Sequence, residues 1–116
     1  MASFRHRIPG LKRVLFVCSQ NKLRSPTAEQ VFSTRPDLEV DSAGTNQDAE
    51  NPLTGELVAW ADVIFVMEKT HRAKLSKRFK RHLKARVICL NIPDDYAFMD
   101  PDLLVLLHAR VEPHLP

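Results

Sequence analysis

The chain has 116 residues, 44 % of them apolar and 27 % charged, with a formal net charge of +3. That length accommodates one hydrophobic core rather than two, and the composition is that of a globular protein rather than a disordered or fibrous one. No apolar run approaches the roughly 20 residues of a membrane span, so no membrane partner is expected.

Residues 1–11 begin with the basic segment Met1-Ala2-Ser3-Phe4-Arg5-His6-Arg7. No apolar run of secretory length and no small-residue cleavage site follow it, so these residues read as a flexible arm on a cytoplasmic protein. A single domain is expected over residues 12–116. Apolar, β-rich runs predict strands at 14–18, 38–42, 63–67 and 87–90. Helical patterns occupy 26–33, 52–60, 70–84 and 101–111, and a polar, turn-forming linker covers 44–51. Alternation of this kind implies βαβ units and a three-layer α/β fold around a parallel sheet. The strands read as continuous apolar runs, as they do when helices cover both faces. Ligands of such sheets bind beyond the carboxyl ends of the strands. Cys18, the segment Ser42-Ala43-Gly44-Thr45, the segment Glu68-Lys69-Thr70 and the segment Pro93-Asp94-Asp95 all fall on that rim.

The densest chemistry lies in Val17-Cys18-Ser19-Gln20-Asn21-Lys22-Leu23-Arg24-Ser25-Pro26. A cysteine ends a strand, and an arginine, a hydroxyl residue and a proline follow across a short loop. Backbone N–H groups over 19–24 and the start of a helix make a nest for an oxyanion. Arg24 can grip two phosphate oxygens with its planar fork. Asn21 tolerates the left-handed backbone that a tight cradle needs. Ser25 suits a helix N-cap with Pro26 at the first helical position; alternatively its hydroxyl donates to a Cys18 thiolate. A structural cysteine beside a surface arginine leaves the joint spacing unexplained. Asp94 and Asp95 follow the fourth strand and are candidates for a general acid, while Asp100 before Pro101 reads as the N-cap of the last helix. No His/Cys/Asp cluster has metal-ligand spacing, so neither a metal nor another cofactor is expected.

The remaining polar features have plainer readings. Both cysteines are expected as free thiols, with Cys89 a small buried hydrophobe. His71, His82, His108 and His114 read as surface histidines. Residues 69–86 hold nine Lys/Arg and no acid, with Leu75, Phe79 and Leu83 as one stripe. That pattern reads as a solvated amphipathic helix, with an anionic-partner surface as the alternative. No aromatic residues interleave with these charges as a stacking platform requires, so a nucleic-acid partner is not expected.

Taken together, four ordered blocks resemble the low-molecular-weight protein tyrosine phosphatases: the loop and first helix from Leu15 through Thr27-Ala28-Glu29, then Asp41-Ser42-Ala43-Gly44-Thr45, the third-strand block 61–68 and Ile92-Pro93-Asp94-Asp95-Tyr96. The resemblance implies a sheet of order 2-1-3-4 flanked by helices, and metal-free phosphomonoester hydrolysis through a cysteinyl-phosphate. It implies Cys18 as nucleophile, Arg24 as phosphate clamp and Asp94 as general acid. Ser19, Gln20, Asn21, Lys22, Leu23, Ser25 and Tyr96 would surround the substrate, a phosphorylated protein or small aryl phosphate. Four departures stand out: Gln20 in place of the family's glycine, Leu23 in place of a second loop cysteine, Asp95 in place of the proline after the acid, and a much shortened stretch between Thr45 and Ala61. Two other readings are an arsenate reductase on the same scaffold and a phosphate-binding adaptor without turnover.

Overall fold

In a computed structural model, which describes residues 10–116, four parallel strands form one sheet in the order β2-β1-β3-β4. The elements are β1 (Lys12–Cys18), α1 (Arg24–Phe32), β2 (Leu38–Gly44), α2 (Gly55–Trp60), β3 (Val63–Val66), α3 (Lys69–Arg78), β4 (Arg86–Cys89) and α4 (Pro101–Val111), followed by a short 3-10 turn over Glu112–His114. This is the three-layer α/β arrangement read from the sequence, in the strand order that the resemblance implies. Of the arm expected over 1–11, residues 1–9 lie outside the described residues.

The period-two geometry of β1 divides the core. Val14, Phe16 and Cys18 join Phe32, Phe65, Leu103 and Leu107 beneath α1 and α4. Leu15 and Val17 join Leu57, Val58, Ile64 and Leu75 beneath α2 and α3. Four consecutive side chains, Val14 to Val17, are fully buried, each contributing about 1.5–3 kcal/mol. Phe16 stacks between Phe32 and Phe65, with ring centroids 5.6 and 5.4 Å away. At the other end of β1, Arg13 and Asp62 form a double side-chain contact, and the Arg13 N–H also donates to the same carboxylate.

Three helix boundaries differ from the sequence reading by two residues or more. Helix α2 begins at Gly55 rather than 52, because Pro52 lies extended beside Gly44 and Thr54 Oγ1 caps the helix by accepting from the Leu57 N–H. Helix α3 ends at Arg78 rather than 84. Continuing it would stack the like charges of Lys77 on Arg81 and of Lys80 on Lys84, each pair costing a few tenths of a kcal/mol. A turn after Phe79 keeps Phe79 and Leu83 against the core without that helix. Helix α1 begins at Arg24, two residues before the expected start. Helix α4 matches its expected range, with Asp100 accepting from the Asp102 N–H as N-cap. Cys89 is half-buried rather than buried, because β4 is an edge strand with an exposed or half-exposed residue at every position.

Gly44 pairs with Cys18 in the β1–β2 register. A Cβ on Gly44 would lie 2.5 Å from the Ser19 carbonyl oxygen and 2.5 Å from the Ala49 Cβ. Backbone lies on one side of the clash, so it has no flexible side chain to absorb it. Gly44→Ala is expected to cost about 1–3 kcal/mol of stability by overpacking, read as a lowered denaturant midpoint with an unchanged slope. An unchanged midpoint would contradict this packing.

Candidate active site

Strand order reverses around β1: the chain goes from β1 outward to β2, then crosses to β3 on the other side. The crevice at such a switch point is where ligands bind in open α/β sheets. Cys18 ends β1 there and residues 19–23 follow it, and Glu68 follows β3.

Three carbonyls of the loop are turned to one support. Cys18 O accepts from Thr45 N–H, Ser19 O from Asn46 N–H and Gln20 O from Glu50 N–H, at 2.9, 3.0 and 3.0 Å. Because the peptide unit is planar and trans, the N–H that follows each of these carbonyls points the opposite way, into the loop. The N–H groups of Ser19, Gln20 and Asn21 therefore face inward. The Asn21 N–H donates to Cys18 Sγ at 3.3 Å. Asn21 has φ of 57°, the left-handed backbone anticipated for it.

Ser25 is not the N-cap. Leu23 holds that position without a side-chain cap, and Ser25 is the second helical residue. The alternative role is the one observed: Ser25 Oγ lies 2.9 Å from Cys18 Sγ. Asn21 Nδ2 donates to Ser25 Oγ and to Ser42 Oγ, both at 2.9 Å. Ser42 Oγ in turn donates to Glu29. A thiol could donate in this contact, but a Cys18 thiolate can only accept, and Ser25 then donates to it. The buried carboxamide contacts both hydroxyls, and a thiolate at Cys18 would receive two donors.

Arg24 is 2 % exposed. Its Nη1 donates to Glu68 Oε2 at 2.5 Å and to the Ile92 carbonyl at 2.8 Å, and its Nε lies 3.6 Å from Asp94 Oδ1. Nε and Nη2 make no hydrogen bond among the described residues, which leaves one edge of the fork for two oxygens of an anion. Cys18, Ser19, Gln20, Lys22, Leu23, Arg24 and Asp94 line one pocket of about 130 Å³. Asp95 is exposed and does not line it. Tyr96 does not line it either; it is half-buried against the core beneath α1 and α4. A larger hollow of about 410 Å³ lies outside this site, between β4 and the end of α4. Among the described residues no group of three or more His, Cys, Asp and Glu could hold a metal ion, and no helix is long and apolar enough to cross a membrane.

Two residues take roles that the sequence reading did not assign them. Glu68 is the N-cap of α3 and the counter-ion of Arg24. His71, expected at the surface, is 1 % exposed. Three positions after the cap, its side chain leans back over the first turn. Its Nδ1 accepts from the Glu68 N–H at 3.0 Å, and its Nε2 lies 2.8 Å from Ser19 Oγ. An accepting Nδ1 puts the proton of the neutral ring on Nε2, which donates to Ser19. Burial, then the neighbouring Arg24 charge, lower the His71 pKa from 6.5 to about 4. The spacing Glu68-x-x-His71 at the end of a strand was the available signal. His82 is exposed, packed over Gly55, while His108 and His114 are exposed as expected.

The family described as "Low molecular weight phosphotyrosine protein phosphatase" matches residues 13–59. No protein among the curated sequences matches the chain. Among solved structures, a low-molecular-weight protein tyrosine phosphatase from Streptococcus pyogenes superposes with a TM-score of 0.75 at 16 % identity, covering 91 % of this chain and 95 % of that one. The tyrosine phosphatase Wzb from Escherichia coli K30, in complex with phosphate, gives 0.73 at 20 % identity, with 90 % and 96 % covered. The YwlE arginine phosphatase from Geobacillus stearothermophilus gives 0.59 at 26 % identity, with 87 % and 84 % covered.

Protonating His71 would place a second N–H against the Glu68 N–H and break the cap. The folded-state pKa is depressed, so the unfolded chain takes up the proton first as pH falls. Stability contributed by the neutral ring is therefore full above about 6.5 and is lost as pH falls toward about 4. The loss amounts to at most about 3 kcal/mol. Chemical denaturation across this range should show the decline in the wild type and a flatter profile in His71→Gln; parallel profiles would contradict the assignment.

Proposed function

We propose that the chain is a member of the low-molecular-weight phosphotyrosine protein phosphatase family, whose model matches residues 13–59, and that it hydrolyses phosphotyrosine on polypeptides, with Cys18, Arg24 and Asp94 as the reacting and clamping groups. The observation that carries the reading is that all three line one pocket of about 130 Å³, together with the loop. The inward N–H groups of residues 19–21 and the open edge of Arg24 suit the oxygens of a phosphoryl group.

On this reading the Cys18 thiolate attacks phosphorus. The S–P bond forms as the P–O bond to the leaving group breaks, and Asp94 gives its proton to the departing oxygen. Water then attacks the cysteinyl-phosphate. Asp94 takes a proton from it, the S–P bond breaks, and inorganic phosphate leaves with the thiolate restored. The hydroxyl of Ser25 and the N–H of Asn21 receive the returning negative charge on sulfur. Asp94 rather than Asp95 is favoured as the acid because only Asp94 lines the pocket and lies near Arg24.

Lys22 on the pocket wall favours a neutral or anionic leaving group over the guanidinium of phosphoarginine. An arsenate reductase requires a resolving thiol. Leu23 stands at the pocket and no second cysteine lines it, which favours the phosphatase. The site as proposed uses no metal or organic cofactor, and a cytoplasmic setting suits its free thiol.

Wild-type protein should hydrolyse p-nitrophenyl phosphate, and Cys18→Ser should not; equal rates for the two would sink the proposal, and thermal stabilisation by phosphate with no cysteinyl-phosphate trapped by rapid acid quench would point to the adaptor reading. Phenyl phosphate needs its leaving oxygen protonated, so Asp94→Asn should lower its kcat by about 100- to 10,000-fold. The nitrophenyl ester, a better leaving group, should lose less. Asp95→Asn should leave both substrates within about threefold, far below the effect of removing a general acid. The reverse order of effects would transfer the acid role to Asp95.

A further inference from the structure

Residues 69–86 carry nine Lys/Arg and no acid, which leaves eight Lys/Arg against fourteen Asp/Glu in the rest of the chain, a net charge of −6 outside the stretch. All nine basic residues are exposed. None pairs with a carboxylate among the described residues. Arg72 and Arg78 donate only to the carbonyls of Val87 and Thr45. Stability does not account for this face: Lys69 and Arg72, Lys74 and Lys77, and Lys74 and Arg78 set like charges together on α3 at spacings that oppose the helix.

The face begins at the site. Glu68 caps α3 and holds Arg24. A hollow of about 330 Å³, lined by Glu68, Lys69, Thr70, Asn91 and Pro93, adjoins the wall formed by Asp94. Its lining runs from Pro93, the neighbour of Asp94 in sequence, to Lys69 and Thr70 in the first turn of the basic helix.

Resting on the phosphatase reading, we propose that this surface selects the substrate: α3 and the turn after it dock an acidic segment of the same polypeptide whose phosphorylated residue enters the Cys18 pocket. A concentrated patch of one sign raises the local concentration of an opposite charge and speeds encounter. The chemistry of the patch favours a polypeptide. A nucleic acid would want exposed aromatic rings to stack on, whereas Phe79, the one aromatic residue besides histidine in the stretch, is half-buried beneath Arg78. An anionic lipid surface would want apolar side chains beside the cations, whereas the exposed large hydrophobics are Leu23, Phe98 and Val105, none of them in the stretch.

The test uses the full chain carrying Cys18→Ser and two fluorescent phosphotyrosyl peptides, one flanked by Asp and Glu and the other by Asn and Gln at the same positions. Fluorescence anisotropy at low salt should give about tenfold tighter binding of the acidic peptide, and the difference should vanish at about 0.5 M salt, where screening is nearly complete within a few ångströms. The triple charge reversal Lys74→Glu, Lys77→Glu, Arg81→Glu should abolish the preference. In the Cys18 background the same reversal should leave kcat/KM on p-nitrophenyl phosphate within twofold. Equal affinity for the two peptides, or a preference that survives the reversal, overturns the proposal. So does tighter binding of a single-stranded RNA or of phosphatidylserine vesicles than of the acidic peptide, or concentration-dependent self-association that the reversal removes. Failure to hydrolyse p-nitrophenyl phosphate would overturn the phosphatase reading instead, and the anisotropy comparison decides the docking surface in either case.

Discussion

The site depends on three hydrogen bonds made on the far side of it. The carbonyls of Cys18, Ser19 and Gln20 are bound by the N–H groups of Thr45, Asn46 and Glu50. Were any of these peptide units to flip, a carbonyl oxygen would replace an N–H on the wall of an anion pocket, and attraction would become repulsion. The support can come this close only because Gly44 has no side chain. The stretch between Thr45 and Ala61, short as it is, retains the residues that hold the loop in shape. Chemistry at the bottom of the pocket is thereby separated from recognition around it.

The second constraint is the buried charge on Arg24. Taking a guanidinium out of water costs several kcal/mol unless it is paired and hydrogen-bonded. Glu68 and the Ile92 carbonyl supply that compensation through a single amino group. The other donors stay available for an incoming anion, so the clamp is held in place before anything binds. His71 links this arrangement to the loop, since it accepts from the backbone of Glu68 and reaches Ser19 on the other side. One ring therefore fixes both the loop that cradles the anion and the helix start that orients its counter-charge.

Most of the fold was legible because local pattern and global structure agree. Val14 to Val17 form a buried strand at the middle of the sheet, and Asp100-Pro101 starts the last helix. The spacing from Cys18 to Arg24, and Asn21 between them, gave the cradle directly. What escaped the sequence depends on partners far along the chain. His71 looks like any polar residue on a basic helix until Ser19, 52 positions earlier, lies beneath it. Ser25 has all the properties of an N-cap, but the helix starts one residue before it, so its hydroxyl serves the sulfur. Tyr96 follows the candidate acid in sequence yet turns toward the core. The end of α3 was obscured because the apolar stripe continues after the helix stops, carried on by a turn.

The position of each strand in the sheet also sets how long each part of the site persists when the molecule breathes. β1, from which the loop of Cys18 springs, is paired on both sides and fully buried at its centre. β4, from which the loop bearing Asp94 springs, is a half-exposed edge strand paired on one side only. Local opening begins where burial and pairing are weakest, so the end of β4, with the Ile92 carbonyl that holds Arg24 and the loop that carries Asp94, opens more readily than the residues around Cys18. On the proposed reading, such an opening would remove the acid and one support of the clamp together, and leave the sulfur's own neighbours, Ser25 and Asn21, in place.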